Sequence, residues 1–104
     1  MGGLVRRLMV FWVYILECRD HAGKSMFYTG YTNDLTRRFQ EHESGRGAKF
    51  TRGKNIQLRY FETLPTRQLA MRREIAIKRM PRRKKAQLVA TFPGRFSFNP
   101  HVMF

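Results

Sequence analysis

At 104 residues, with 42% hydrophobic and 13% aromatic content, the chain has material for one small folded domain and too little length for two cores. Its 21 Lys and Arg against 7 Asp and Glu give a formal net charge of +14, a field that repels itself in a compact monomer and draws polyanions, nucleic acid foremost. A single cysteine, Cys18, excludes an internal disulfide framework and is expected in a reducing cytoplasm; with three histidines beside it, no zinc spacing can be written.

Residues 1–9 read as a basic leader, 10–91 as the domain and 92–104 as a tail. Arg6 and Arg7 followed by the run Leu8 to Leu16 imitate a secretion signal. The residues that follow, Glu17-Cys18-Arg19-Asp20, offer no cleavage site, and the run is too short to span a bilayer, so no membrane partner is expected. Phe11 to Leu16 is instead predicted as a strand covered on both faces, because it is β-branched and aromatic without polar alternation. Asp20 and Gly23 mark a hairpin connection to a second strand, Met26 to Tyr31. Thr32-Asn33-Asp34 offers N-cap candidates and an acid for the first turn of a helix running to about Glu43, which Ser44-Gly45 stops. A Gly-, Lys- and Arg-rich loop spans 45–55, and Ile56 to Glu62 is a third strand. Pro65 opens a helix to about Arg79, and Pro81 another to about Ala90. The order β-β-α-β-α-α predicts an α/β (α+β) domain: a small three-stranded, mainly antiparallel sheet flanked by three helices.

In the first helix, Leu35, Arg38, Phe39 and His42 share one stripe, while Arg37 and Glu41 pair on another face. Arg38 is thereby turned toward the protein body, where a guanidinium needs a polar partner. The plainer alternative, preferred on pattern alone, is an Arg38 that snorkels and a His42 hydrogen-bonded at the core edge. In the second helix, Leu69, Ala70, Ala76, Ile77 and Met80 span a broad apolar arc, with Arg72 and Arg79 on the wet side. Glu74 falls beside the apolar residues, either paired with Lys78 or kept for a hard divalent cation. Tyr14 and Tyr28 become cross-strand neighbours if the register allows. Buried strand tyrosines are usually structural, but a phenol surrounded by positive charge has a lowered pKa and can take a proton from water.

Together these residues resemble the GIY-YIG nuclease superfamily, particularly its small free-standing URI-domain, UPF0213-like members. The first motif reads Trp12-Val13-Tyr14 and the second Tyr28-Thr29-Gly30, followed by the turn and arginine helix from Tyr31 to His42. Gly45 to Arg52 resembles the family's basic loop, and Ala70 to Lys78, with Glu74 inside, its metal-binding helix. The likeness covers about residues 10 to 90. Trp12 stands where the family has glycine, and Val13 and Thr29 where it has isoleucine.

The resemblance implies a metal-dependent endonuclease acting on DNA, more than RNA, by structure rather than sequence. Glu74 would hold a single Mg²⁺ or Mn²⁺, and Arg38 would donate to the non-bridging phosphate oxygens. Tyr14 would help deprotonate the attacking water, its pKa lowered by nearby cations, and Tyr28 and His42 would position water and phosphate. Arg46, Lys49, Arg52 and Lys54 in the loop, with Arg82, Arg83, Lys84 and Lys85, would grip neighbouring phosphates. The extra recognition domain of larger relatives is not expected here, which leaves room for a protein partner that supplies specificity. The alternative is a non-catalytic DNA- or RNA-binding module on the same fold, since its basic surface would be identical.

Overall fold

The computed structural model describes residues 10–91, so the predicted leader 1–9 and tail 92–104 lie outside the described residues. Strands β1 (Phe11–Arg19), β2 (Ser25–Thr32) and β3 (Asn55–Leu64) form one antiparallel sheet in the order β2-β1-β3. β1 is central, which explains its unbroken apolar run: both of its faces are covered. Asp20 closes the β1–β2 connection, its Oδ1 accepting from the N–H groups of Ala22 and Lys24 at 2.9 Å each. β3 carries one extra residue, Arg59, where its pairing with β1 shifts between Ile15 and Leu16.

The alternation of β1 divides the core. Tyr14, Leu16 and Cys18 point to one face, where α1 (Leu35–Glu43) lays Leu35 and Phe39 against them. Phe11, Val13 and Ile15 point to the other, covered by Ala70 and Ile77 of α2 (Arg67–Lys78) and by Leu88 and Val89 of α3 (Arg82–Ala90). Each fully buried Leu, Ile or Phe contributes about 1.5–3 kcal/mol relative to exposure. Cys18 is a small packed hydrophobe, and burial pushes its thiol up to about 11.

The predicted architecture and element order are those observed; three local expectations change. Asp34 is the N-cap of α1, accepting from the Arg37 N–H, and no acid occupies the first turn. The second helix begins at Arg67, because Thr66 caps it through the Leu69 N–H and Pro65 precedes the cap. The broad apolar arc of that helix is narrower and rotated. Leu69 and Ile75 are exposed, and the inward stripe is Ala70, Arg73, Glu74 and Ile77. Two of those four positions are charged, which hid the stripe from a hydropathy reading. Arg73 is stable there because it donates to both oxygens of Glu62, from Nε at 2.7 Å and Nη2 at 3.3 Å. The Tyr60 hydroxyl also donates to Glu62, and burial, then that bond, pushes the phenol up to about 12.

Candidate active site

A cleft of about 390 Å³ opens at the β2 edge, where residues from both sides of the sheet meet. Tyr14, Tyr28, Arg38 and Glu41 enter from the α1 side, and Arg67 and Glu74 from α2. Gly30 makes the opening. It pairs with Tyr14 across the strands, and a Cβ built on it falls 2.4 Å from the Tyr14 hydroxyl oxygen. Any side chain there would collide with the ring. Tyr14 and Tyr28 are therefore diagonal neighbours on one face, Tyr28 standing opposite Leu16. Trp12, in place of the family's glycine, stays out of this cleft: it makes an edge contact with Phe61 and lines a separate groove with Asp34 and Leu35.

Tyr14 is 1% exposed and lies 2.8 Å from Nε2 of His42. The lowered phenol pKa that the resemblance implied is reversed. Burial, then the neighbouring Tyr28, drives Tyr14 well above its ordinary value, and the Arg38 guanidinium offsets only part of this. His42, expected to position water and phosphate, is 2% exposed and lies behind the cleft rather than in its lining. It is joined to the cleft by the Tyr14 hydroxyl at its Nε2. Burial, then Arg38, pulls the imidazole down to about 4, so it is neutral at pH 7. Tyr28 packs edge-on against His42 and stacks on Phe50, which presents its ring to solvent from the basic loop.

The two α1 arginines differ as the stripe predicted: the side chain of Arg38 is 31% exposed and that of Arg37 is 54%. They are less separate than expected, because Glu41 serves both, with Oε1 3.0 Å from Arg38 and Oε2 3.1 Å from Arg37. Both guanidiniums, hydrogen bonds first for Arg38, hold the Glu41 carboxyl below its ordinary value.

Glu74 is held more loosely. Its ion pair is with Lys78 at 3.7 Å, though its side chain is only 16% exposed. Both alternatives for this residue are thus present in the same geometry, a long helical pair and a carboxylate facing a cleft. Among the described residues no group of three or more His, Cys, Asp or Glu gathers. A hard cation at Glu74 would take few protein ligands, Glu41 of the same cleft being engaged by Arg37 and Arg38, with water and phosphate completing its shell, which is a usual arrangement for Mg²⁺. The donor set fits such a substrate-completed ion.

The basic residues fall in two places. Arg46, Lys49 and Arg52 are exposed on the loop after α1, whose Lys49–Thr51 segment forms a 3-10 turn; Lys54 is half-buried, its Nζ 4.8 Å above the Phe50 ring. Arg82, Arg83 and Lys84 are exposed on α3, and Lys85 is half-buried there, on the other side of the sheet from the loop. None of the eight lines the cleft, whereas Asn33, Arg37, Glu41 and Arg67, which the sequence reading did not assign to the site, do. Thr51 was also missed: it is 1% exposed, with its hydroxyl 2.8 Å from His42 Nδ1. A lone threonine among Lys, Arg and Gly carries no spacing signal that would have found it.

Residues 10–87 match the model of the GIY-YIG catalytic domain. A UPF0213 protein of Haloquadratum walsbyi is 50% identical over 78 residues, covering 74% of this chain and 83% of the relative. A UPF0213 protein of Halalkalibacterium halodurans is 45% identical over 86 residues, covering 82% and 87%. The solution NMR structure of a UPF0213 protein from Bacillus halodurans aligns with a TM-score of 0.48 at 42% identity, over 84% of this chain and 89% of that one. With both motif tyrosines and the motif glycine gathered at one cleft, the family-model match over residues 10–87 and the two sequence relatives, the chain belongs to the GIY-YIG family of nuclease domains, among its UPF0213 members.

Proposed function

We propose that the protein is a metal-dependent endonuclease that hydrolyses phosphodiester bonds in DNA, selecting by structure more than by sequence. The observation that carries this reading is the convergence of Tyr14, Arg38 and Glu74 on one open cleft, with the Tyr14 hydroxyl hydrogen-bonded to a buried neutral imidazole.

A phenol with a raised pKa does not stand ready as phenolate, so Tyr14 works as a relay. As water attacks phosphorus, the Tyr14 oxygen takes a water proton while its own proton passes to His42 Nε2, leaving imidazolium. Arg38 exchanges its Glu41 contact for the non-bridging oxygens, donating to the charge that builds there. Tyr28 closes the wall of the cleft and orients the phosphate. One Mg²⁺ or Mn²⁺ held by Glu74 would supply Lewis-acid stabilisation of the phosphate and the leaving oxygen. The loop cations Arg46, Lys49, Arg52 and Lys54 and the α3 cations hold flanking phosphates without reading bases. The free, buried Cys18 suits a reducing compartment such as the cytoplasm.

The experiment is a cleavage assay of the purified protein on duplex, nicked, branched and single-stranded DNA, with Mg²⁺, Mn²⁺ or chelator, and on RNA. Metal-dependent nicking with a preference among DNA structures is expected. A wild type inactive on every substrate with either metal, yet binding DNA with a steep salt dependence, would favour the binding-module alternative.

A further inference from the structure

We infer that Thr51 is a positioning residue that fixes the tautomer of His42, so that Nε2 is the bare nitrogen facing Tyr14, and that Gly47 exists to let the loop close over the ring.

The inference rests on the nuclease reading for its consequence, but its geometry stands alone. Three contacts form a chain at 2.8 Å each: Tyr14 hydroxyl to His42 Nε2, His42 Nδ1 to Thr51 Oγ1, and Thr51 Oγ1 to the Ala48 carbonyl. A carbonyl only accepts, so the Thr51 proton points at Ala48. Thr51 Oγ1 must then accept from Nδ1–H, Nε2 is left bare, and the phenol donates to it. The opposite tautomer would spend the Thr51 proton on Nδ1 and leave two oxygens 2.8 Å apart with no proton between them. It would gain only the Ala48 N–H contact to Nδ1, which is long at 3.4 Å.

Gly47 holds this clamp shut. A Cβ built there meets His42 Nδ1 at 2.4 Å and the His42 Cα at 2.8 Å. The second atom is backbone and cannot swing away, so a side chain at 47 lifts the loop from the ring. The backbone of 47–51 therefore couples the basic loop to proton transfer in the cleft. Thr51 touches neither water nor phosphate; it acts through His42.

The test compares wild type with Thr51→Val, which keeps shape and loses the acceptor, and Thr51→Ser, which keeps the hydroxyl. NMR of the imidazole nitrogens reads the tautomer with no substrate present, and cleavage kinetics are measured on the same samples. Wild type and Thr51→Ser should both show Nδ1–H, while Thr51→Val should move His42 toward Nε2–H. Its kcat should fall about a hundredfold with KM kept, since general-base catalysis of this kind contributes about that much. Thr51→Ala gives the same readouts if the valine variant does not fold. A wild-type His42 protonated at Nε2, or a Thr51→Val protein that keeps both tautomer and kcat, overturns the inference. A wild type that is inactive but shows Nδ1–H, lost in Thr51→Val, defeats the nuclease reading and leaves the positioning role intact.

Discussion

The Tyr14 hydroxyl lies 2.8 Å from His42 Nε2, between two side chains that are almost wholly buried and 28 residues apart in sequence. Burial keeps both neutral: the phenol is driven up, by desolvation and then by Tyr28, and the imidazole down to about 4, by desolvation and then by Arg38. The folded His42 pKa lies below the unfolded value of about 6.5, so the unfolded chain binds the extra proton. Stability from this group is present above pH 6.5 and is lost as pH falls toward 4. Glu17 and Glu41, with carboxyls held below 4.5, remove stability only lower down. Denaturant midpoints at stepped pH should therefore fall between about 6.5 and 5 in wild type and lie flatter in His42→Gln. An equal slope in both proteins would assign the effect elsewhere.

Arg38 and Arg37 share Glu41 and both line the cleft, but Arg38 lies beside Tyr14 whereas Arg37 turns to Asn33 and Asp34. Arg38→Ala should abolish cleavage with little loss of DNA affinity, because it removes donors from the cleft wall beside Tyr14. Arg37→Ala removes an exposed pair worth about 0.3–0.5 kcal/mol and should change cleavage only mildly. Nicking rates and affinities of the two variants decide the point. Equal losses would refute the helix-face distinction.

Glu74→Gln keeps the shape of the side chain and removes the charge a hard cation requires. Metal-dependent nicking should drop by orders of magnitude, while DNA binding survives or tightens as a negative charge leaves the cleft. Losing the 3.7 Å contact to Lys78 should cost only a few tenths of a kcal/mol. Melting, affinity and nicking are read on one preparation; unchanged nicking would take Glu74 out of the site.

Thr29 is 3% exposed, and its Oγ1 finds no hydrogen-bond partner among the described residues. Thr29→Val keeps the shape and removes an unsatisfied buried hydroxyl, so stability should rise by about 1 kcal/mol. For a domain of this size that is roughly 4–8 °C in Tm. A lower Tm in thermal melts would mean the hydroxyl is satisfied.

The sequence by itself determined what is set by neighbours along the chain. Strand and helix order, the Asp20–Gly23 turn, the stop at Ser44-Gly45 and the stripe of Leu35, Arg38, Phe39 and His42 all follow from local periodicity and turn chemistry. The resemblance in the tyrosines, Gly30, Arg38 and Glu74 gave the family for the same reason, since motifs are local. What tertiary structure decided is the environment of each group. The resemblance implied cations that lower the Tyr14 pKa, yet the side chain is almost wholly buried, and desolvation outweighs the nearby guanidinium. Thr51 became visible only when the loop folded back over His42, and the inward face of α2 only when Glu62 on β3 supplied Arg73 with its counter-charge. Electrostatic free energy depends on distance and burial in space, and both are fixed by contacts between segments that are remote in sequence.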